Sequence, residues 1–105
     1  MLLIAHRGDT SSHQENTPEA FVSAFDKGAN GVELDIQLLN GKIIVVHDYL
    51  FDTSTDYVSL EEVLTQIHAR GRIEIEIKAY SADILVPLHS ILEKFLQADF
   101  ELTTS

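Results

Sequence analysis

Val32-Glu33-Leu34-Asp35-Ile36-Gln37-Leu38 alternates apolar and polar side chains without a break. A period of two is that of a strand, with Val32, Leu34 and Ile36 on one face and Glu33, Asp35 and Gln37 on the other. Ile73-Glu74-Ile75-Glu76-Ile77-Lys78 repeats the pattern, setting Ile73, Ile75 and Ile77 against Glu74, Glu76 and Lys78. Strands with one oily and one charged face need helices over the first and a compensating charge over the second.

Outward from these strands, Asn40-Gly41 is a type I′ hairpin signal. It predicts that Lys42-Ile43-Ile44-Val45-Val46 returns antiparallel and delivers His47-Asp48 back beside Glu33 and Asp35. Upstream, a short apolar strand, Leu2-Leu3-Ile4-Ala5, runs into His6-Arg7-Gly8. A helix is expected after Thr17 as N-cap, with Pro18 at its first position, Phe21, Ala24 and Phe25 on one face, and Lys27-Gly28 as basic last turn and left-handed stop. Ser59-Leu60-Glu61-Glu62 is a capping box for a second helix that buries Leu60, Val63, Leu64 and Ile67 and closes at Arg70-Gly71. The pattern predicts a third helix from near Asp83 to Gln97, with Pro87 in its first turn and Leu88, Ile91, Leu92 and Phe95 inward. Phe100-Glu101-Leu102-Thr103-Thr104 reads as a last strand. The order β-α-β-hairpin-α-β-α-β is an α/β, parallel βα series.

At 105 residues the chain is read as one domain over 1–105, well short of the roughly 250 residues of a closed (β/α)8 barrel. Seven Lys and Arg against 17 Asp and Glu give a net charge of −10, which argues against a nucleic-acid partner and suits a divalent cation. With no cysteine, a disulfide framework and a thiolate metal site are excluded, and oxygen ligands favour Ca2+ or Mg2+. The apolar run Met1 to Ala5 meets His6-Arg7 too soon for the about 7 to 15 residues of a signal-peptide core, so a cytoplasmic protein without a membrane segment is expected.

Glu33 and Asp35 share one strand face, and Glu76 belongs on a neighbouring strand about 4.8 Å away, so three carboxylates can converge on one cation. Any one of them is as well explained as a solvent-facing residue; the set is not. His6 and His47, at strand ends, would flank the cation as an acid/base pair. His13 stands in the loop before Glu15, where solvent explains it better than substrate does. His68 and His89 fall on helices and read as surface residues, while Glu74 lies deeper along its strand, suited to a salt bridge or the barrel floor. Tyr49, Phe51 and Tyr57 serve equally as an apolar wall beside a leaving group or as loop packing.

The series His6-Arg7-Gly8, Glu15-Asn16-Thr17, Ala20-Phe21, Gly28-Ala29, Glu33-Leu34-Asp35, His47-Asp48 and Glu76-Ile77-Lys78 resembles the amino-terminal half of the glycerophosphodiester phosphodiesterase family. That resemblance implies about half of a TIM-type (β/α)8 barrel, a divalent cation, and hydrolysis of a glycerophosphodiester to glycerol 3-phosphate and an alcohol. It implies His6 and His47 as general acid and base, Glu33, Asp35 and Glu76 as metal ligands, Arg7 on the phosphate, and Lys78 facing the substrate. Glu15 would stand near the metal or hold the first loop, and Asp48 would orient a neighbour or cap a turn. Only ten residues separate Asp48 from Ser59, where the family commonly inserts a covering segment, so a more open mouth is expected. The later strands and helices of the barrel do not follow the last strand, so the alternative is an inactive half-barrel or a metal- or phosphate-binding module that associates with another copy through its strand edges.

Overall fold

In the computed structural model, residues 2–11, 13–47, 56–78 and 81–104 are described. Thr17 caps the first helix as expected, its Oγ1 accepting from Ala20 N at 3.2 Å, and Ser59 Oγ accepts from Glu62 N at 3.1 Å at the start of the second. The elements are β1 (Ile4–His6), α1 (Pro18–Asp26), β2 (Gly31–Leu39), β3 (Lys42–Val45), α2 (Leu60–Ile67), β4 (Arg72–Ile77), α3 (Leu85–Leu92) and β5 (Asp99–Thr104).

The sheet runs β1-β2-β4-β5, all parallel, and β3 pairs antiparallel with β2. Asn40 and Gly41, at φ of 51° and 80°, form the left-handed pair that a type I′ turn requires. Glu33 O accepts from Arg7 N, and Asp35 O accepts from Val46 N. Alternate carbonyls of a strand point to the same side, so the chain after β1 and the hairpin lie end to end on one edge of β2.

Val32, Leu34 and Ile36 of β2 and Ile73, Ile75 and Ile77 of β4 are buried against Phe21, Ala24 and Phe25 of α1, the four apolar residues of α2, and Leu88 of α3. Each large side chain so buried contributes about 1.5–3 kcal/mol. The polar face follows from register: Asp35 pairs with Glu76, Glu33 with Glu74, and Glu74 with Glu101. Residues paired across parallel strands share a face, so the helices cover one side and the acids line the other.

Several expectations need correction. The second helix ends at Ile67, with His68 as its C-cap, rather than at Arg70-Gly71. The first strand begins at Ile4 and includes His6, because Leu3 is occupied with Asn30 rather than with a ladder: its N–H donates to Asn30 Oδ1 at 2.8 Å. The third helix is shorter than Asp83 to Gln97, since 3-10 turns at Ala82–Ile84 and Glu93–Phe95 flank it; Pro87 sits in its first turn. Of its inward residues Leu88 is buried, whereas Ile91, Leu92 and Phe95 are half-buried. His68 is not a plain surface residue, for its Nδ1 lies 2.8 Å from Leu64 O and its ring packs 5.0 Å from that of Phe95. His89 is exposed and sits 2.6 Å from Glu93.

Candidate active site

After His6 the chain turns through two left-handed residues, Arg7 at φ 59° and Gly8 at φ 88°. Arg7 holds this conformation, strained by about 1–3 kcal/mol for a residue with a Cβ, through both its backbone groups: its N–H donates to Glu33 O at 2.7 Å and its carbonyl accepts from Asn16 N at 2.8 Å. Gly8 is required on a second ground, because a Cβ there would stand 2.7 Å from the Ala20 carbonyl carbon. The loop is then fastened to α1. Asp9 N donates to Ala20 O, and the Asp9 carboxylate accepts from Lys27 Nζ at 2.6 Å, Ser23 Oγ at 2.8 Å and Ser11 Oγ at 2.5 Å. These donors, Lys27 foremost, hold the Asp9 carboxyl well below the usual carboxylate range. Lys27, expected in the last turn of α1, is instead its C-cap and reaches back to this loop.

The fastened loop sets Arg7 and Asn16 against Asp35 on the acidic face of β2. Glu33, Asp35 and Glu76 each place a carboxylate oxygen within 4.8 Å of the other two. Glu33 and Glu76 are half-buried, whereas Asp35 is fully buried. Asp35 Oδ2 accepts from Asn16 Nδ2 at 3.1 Å and lies 3.5 Å from Arg7 Nε. Asp35 Oδ1 is buried with no hydrogen-bond partner. Burial raises the Asp35 carboxyl above the usual range, with Glu76 and Glu33 adding to the effect and Asn16 and His47 opposing it.

Around this cluster, His6 Nδ1 is 2.9 Å from Glu33 Oε2, Lys78 Nζ is 3.3 Å from Glu76 Oε2, and Arg7 Nη1 is 3.6 Å from Glu15 Oε2. His6 is largely exposed and Lys78 largely buried. His47 follows β3, near enough to Asp35 to act on its proton affinity. Gln37 supports that segment, its Nε2 donating to Val46 O at 3.2 Å.

Three crowded carboxylates, the central one fully buried with an orphaned oxygen, form a site suited to an electrophile. The donors are hard oxygens, which suits a divalent cation such as Ca2+ or Mg2+. A cation would supply the partner that Asp35 Oδ1 lacks and offset the like-charge repulsion that raises its proton affinity.

The structure thus brings together His6, Arg7, Glu15, Glu33, Asp35, His47, Glu76 and Lys78. The Arg7 guanidinium lies between Asp35 and Glu15. His13 is exposed. Asp48, Tyr49 and Phe51 lie outside the described residues. At the other end of the same face, Glu74 makes the salt bridge anticipated for it: its Oε2 is 3.2 Å from Arg72 Nε, a charge contact without hydrogen-bond alignment, and Arg72 also pairs with Glu101. Sequence reading assigned no role to Asn16, Asp9 or Gln37. Their partners are set by tertiary contact: periodicity puts Gln37 on the polar face of β2 but does not give its partner, and it marks neither Asn16 nor Asp9; for Asn16 the structural signal is a left-handed conformation at a non-glycine residue, φ 57°.

Residues 6–67 match the model of the glycerophosphoryl diester phosphodiesterase family. Among curated relatives, a glycerophosphodiester phosphodiesterase of Caldanaerobacter subterraneus is 48% identical over 56 residues, covering 52% of this chain and 23% of that protein. The uncharacterized protein YqiK of Bacillus subtilis is 37% identical over 106 residues, covering 93% of this chain and 42% of its own length. Among solved structures, a glycerophosphodiester phosphodiesterase of Thermotoga maritima superposes with a TM-score of 0.82 at 27% identity, over 99% of this chain and 54% of its own. One of Parabacteroides distasonis gives a TM-score of 0.85 at 19% identity, over 98% of this chain and 56% of its own, a likeness of fold. The chain therefore spans just over half of the solved enzymes it matches, and its parallel sheet with alternating helices corresponds to about half of their TIM-type barrel. On the match of its site-bearing segment, the chain belongs to the glycerophosphoryl diester phosphodiesterase family.

Proposed function

We propose that this chain carries the catalytic residues for cation-dependent hydrolysis of a glycerophosphodiester to glycerol 3-phosphate and an alcohol. The observation that carries the reading is the carboxylate cluster with its orphaned Asp35 oxygen, flanked by two histidines, in a member of this family. Glu33, Asp35 and Glu76 would hold a divalent cation, Ca2+ or Mg2+. When bound, it would draw charge from the non-bridging phosphate oxygens.

Arg7, placed between Asp35 and Glu15, would present its guanidinium to those oxygens. Lys78, held beside Glu76, adds positive charge on the substrate side. One imidazole of the pair His6 and His47 takes the proton of the attacking hydroxyl, from water or from the neighbouring glycerol hydroxyl, as its oxygen bonds to phosphorus. The other protonates the departing alkoxide as the ester P–O bond breaks; where the glycerol hydroxyl attacks, the cyclic phosphate so formed is opened to glycerol 3-phosphate by water, with the two imidazoles in exchanged roles. His6, with Nδ1 against Glu33, exchanges its proton through Nε2. Glu15 steadies Arg7.

The assay is release of glycerol 3-phosphate from glycerophosphocholine with Ca2+ or Mg2+ and with chelator. Cation-dependent release that falls about 100-fold or more in His47→Ala is expected; His47→Ala at full activity would remove it from the mechanism. A second reading rests on the outer edges of β1 and β5, which no strand covers among the described residues. Through these edges a second copy could bind, leaving a module that holds cation or phosphate without turnover. Cation binding without any release, in a chain whose solution mass is that of a dimer, would favour it.

A further inference from the structure

We propose that Asn16 is the positioning residue of the cation site: it engages Oδ2 of Asp35 so that Oδ1 is the oxygen kept for the metal. The proposal rests on the reading of Glu33, Asp35 and Glu76 as ligands. Asn16 is buried at φ 57°, and both halves of its side-chain amide address one residue. Its Nδ2 donates to Asp35 Oδ2 at 3.1 Å, and its Oδ1 stands 3.5 Å from Asp35 N. Arg7 Nε approaches the same carboxylate oxygen, at 3.5 Å. Two donors thus converge on Oδ2 while Oδ1, equally buried, receives none. A carboxylate free to rotate would share its donors between both oxygens; this one is fixed with a bare oxygen beside two further carboxylates.

The backbone explains why the residue is asparagine. Left-handed φ is open to glycine, asparagine and aspartate more than to other residues. Glycine would bring no donor, and aspartate would set a fourth carboxylate against Asp35. Asparagine supplies conformation and donor together. Its N–H also donates to Arg7 O at 2.8 Å, so the same residue sets the loop that carries Arg7.

Titration calorimetry of the purified chain with Ca2+ and with Mg2+ tests this, run on wild type, Asn16→Gly and Asp35→Asn, with melting of the cation-free proteins alongside. Asn16→Gly keeps the backbone conformation and removes only the amide. The expected result is a 10- to 100-fold weaker affinity, the range for losing a group that orients a metal ligand, with a cooperative cation-free melt retained. Asn16→Ser, whose hydroxyl is too short to reach Asp35, should weaken binding likewise and carries the test if the glycine variant does not fold. Wild-type affinity in a folded Asn16 variant, with binding lost in Asp35→Asn, would overturn the positioning role and leave the cation site standing. Wild-type affinity in Asp35→Asn would overturn the cation site itself. Failure of both Asn16 variants to fold would make Asn16 a folding residue and overturn the proposal.

Discussion

The two ends of the acidic face solve one problem in opposite ways. At the amino end of β4, Glu74 and the facing Glu101 both meet Arg72, and all three side chains retain solvent. At the carboxyl end, Asp35 is fully buried, has two carboxylate neighbours, and keeps one oxygen without a partner. Both acidic pairs lie in register across parallel strands, Glu74 with Glu101 and Asp35 with Glu76. Strand parity therefore creates an acidic face and does not tell a structural acid from a functional one. What separates them is whether water is excluded and whether a buried carboxylate oxygen is left without a donor.

The largest effect that would test this contrast is the response to cation. If Arg7, Lys78 and His6 leave the acids at the carboxyl end incompletely matched, Ca2+ or Mg2+ at 100 times its Kd should stabilise the protein by about 2.7 kcal/mol, on the order of 10 °C or more in Tm for a domain of this size. Asp35→Asn should abolish that gain, and a gain of equal size in the variant would erase the distinction between the two ends.

A smaller effect has the opposite sign. Without cation, Asp35→Asn should raise stability at neutral pH by about 1–3 kcal/mol, because a buried, incompletely paired charge is removed. Denaturant unfolding in chelator measures it, and a destabilised variant would mean that the Asp35 charge is already matched by the chain.

The pH dependence follows from the direction of the shift. The Asp35 carboxyl is raised above its ordinary 3.8, so the folded state holds the proton more tightly than the unfolded state. Cation-free stability contributed by this group is therefore greatest below about pH 3.8 and falls as pH rises through the higher folded value. Asp9, lowered, runs the other way and loses its contribution as pH falls below the same ordinary value. Melting of wild type and Asp35→Asn from pH 4 to 7 in chelator isolates the first term; parallel curves would refute it.

The smallest effect belongs to the amino end. Arg72→Met should cost no more than about 1 kcal/mol, because its partners are solvated, and should leave cation affinity unchanged. A cation-dependent gain in Tm larger than that of wild type would show that a second acidic end had been exposed.

Much of this was legible in the sequence. The period of two in Val32 to Leu38 and Ile73 to Lys78 placed Glu33, Asp35 and Glu76 on one face, and Asn40-Gly41 returned the chain so that His47 came close. Parity could not reveal that Asp35 is dry while Glu33 and Glu76 are not. That difference arises from the loop between Arg7 and Asn16, whose placement depends on two left-handed residues and on Asp9 grasping α1. Nor could it pair Arg72 with Glu101, which depends on β5 lying beside β4. The third helix was overextended because apolar spacing continues through Phe95 while the backbone winds into a tighter turn at Glu93.

The hairpin has one more consequence, for the order in which the molecule opens. β2 is paired along both edges, with β4 on one and with β1 followed by β3 on the other, whereas among the described residues β5 is paired on one edge only and its side chains are mostly exposed. Amide hydrogens of β2 can reach solvent only when several neighbours separate together, while those of β5 are released by local fraying. The strand that carries Glu33 and Asp35 should thus exchange more slowly than the outer strand β5, and the two acids keep their spacing through fluctuations that loosen that outer strand.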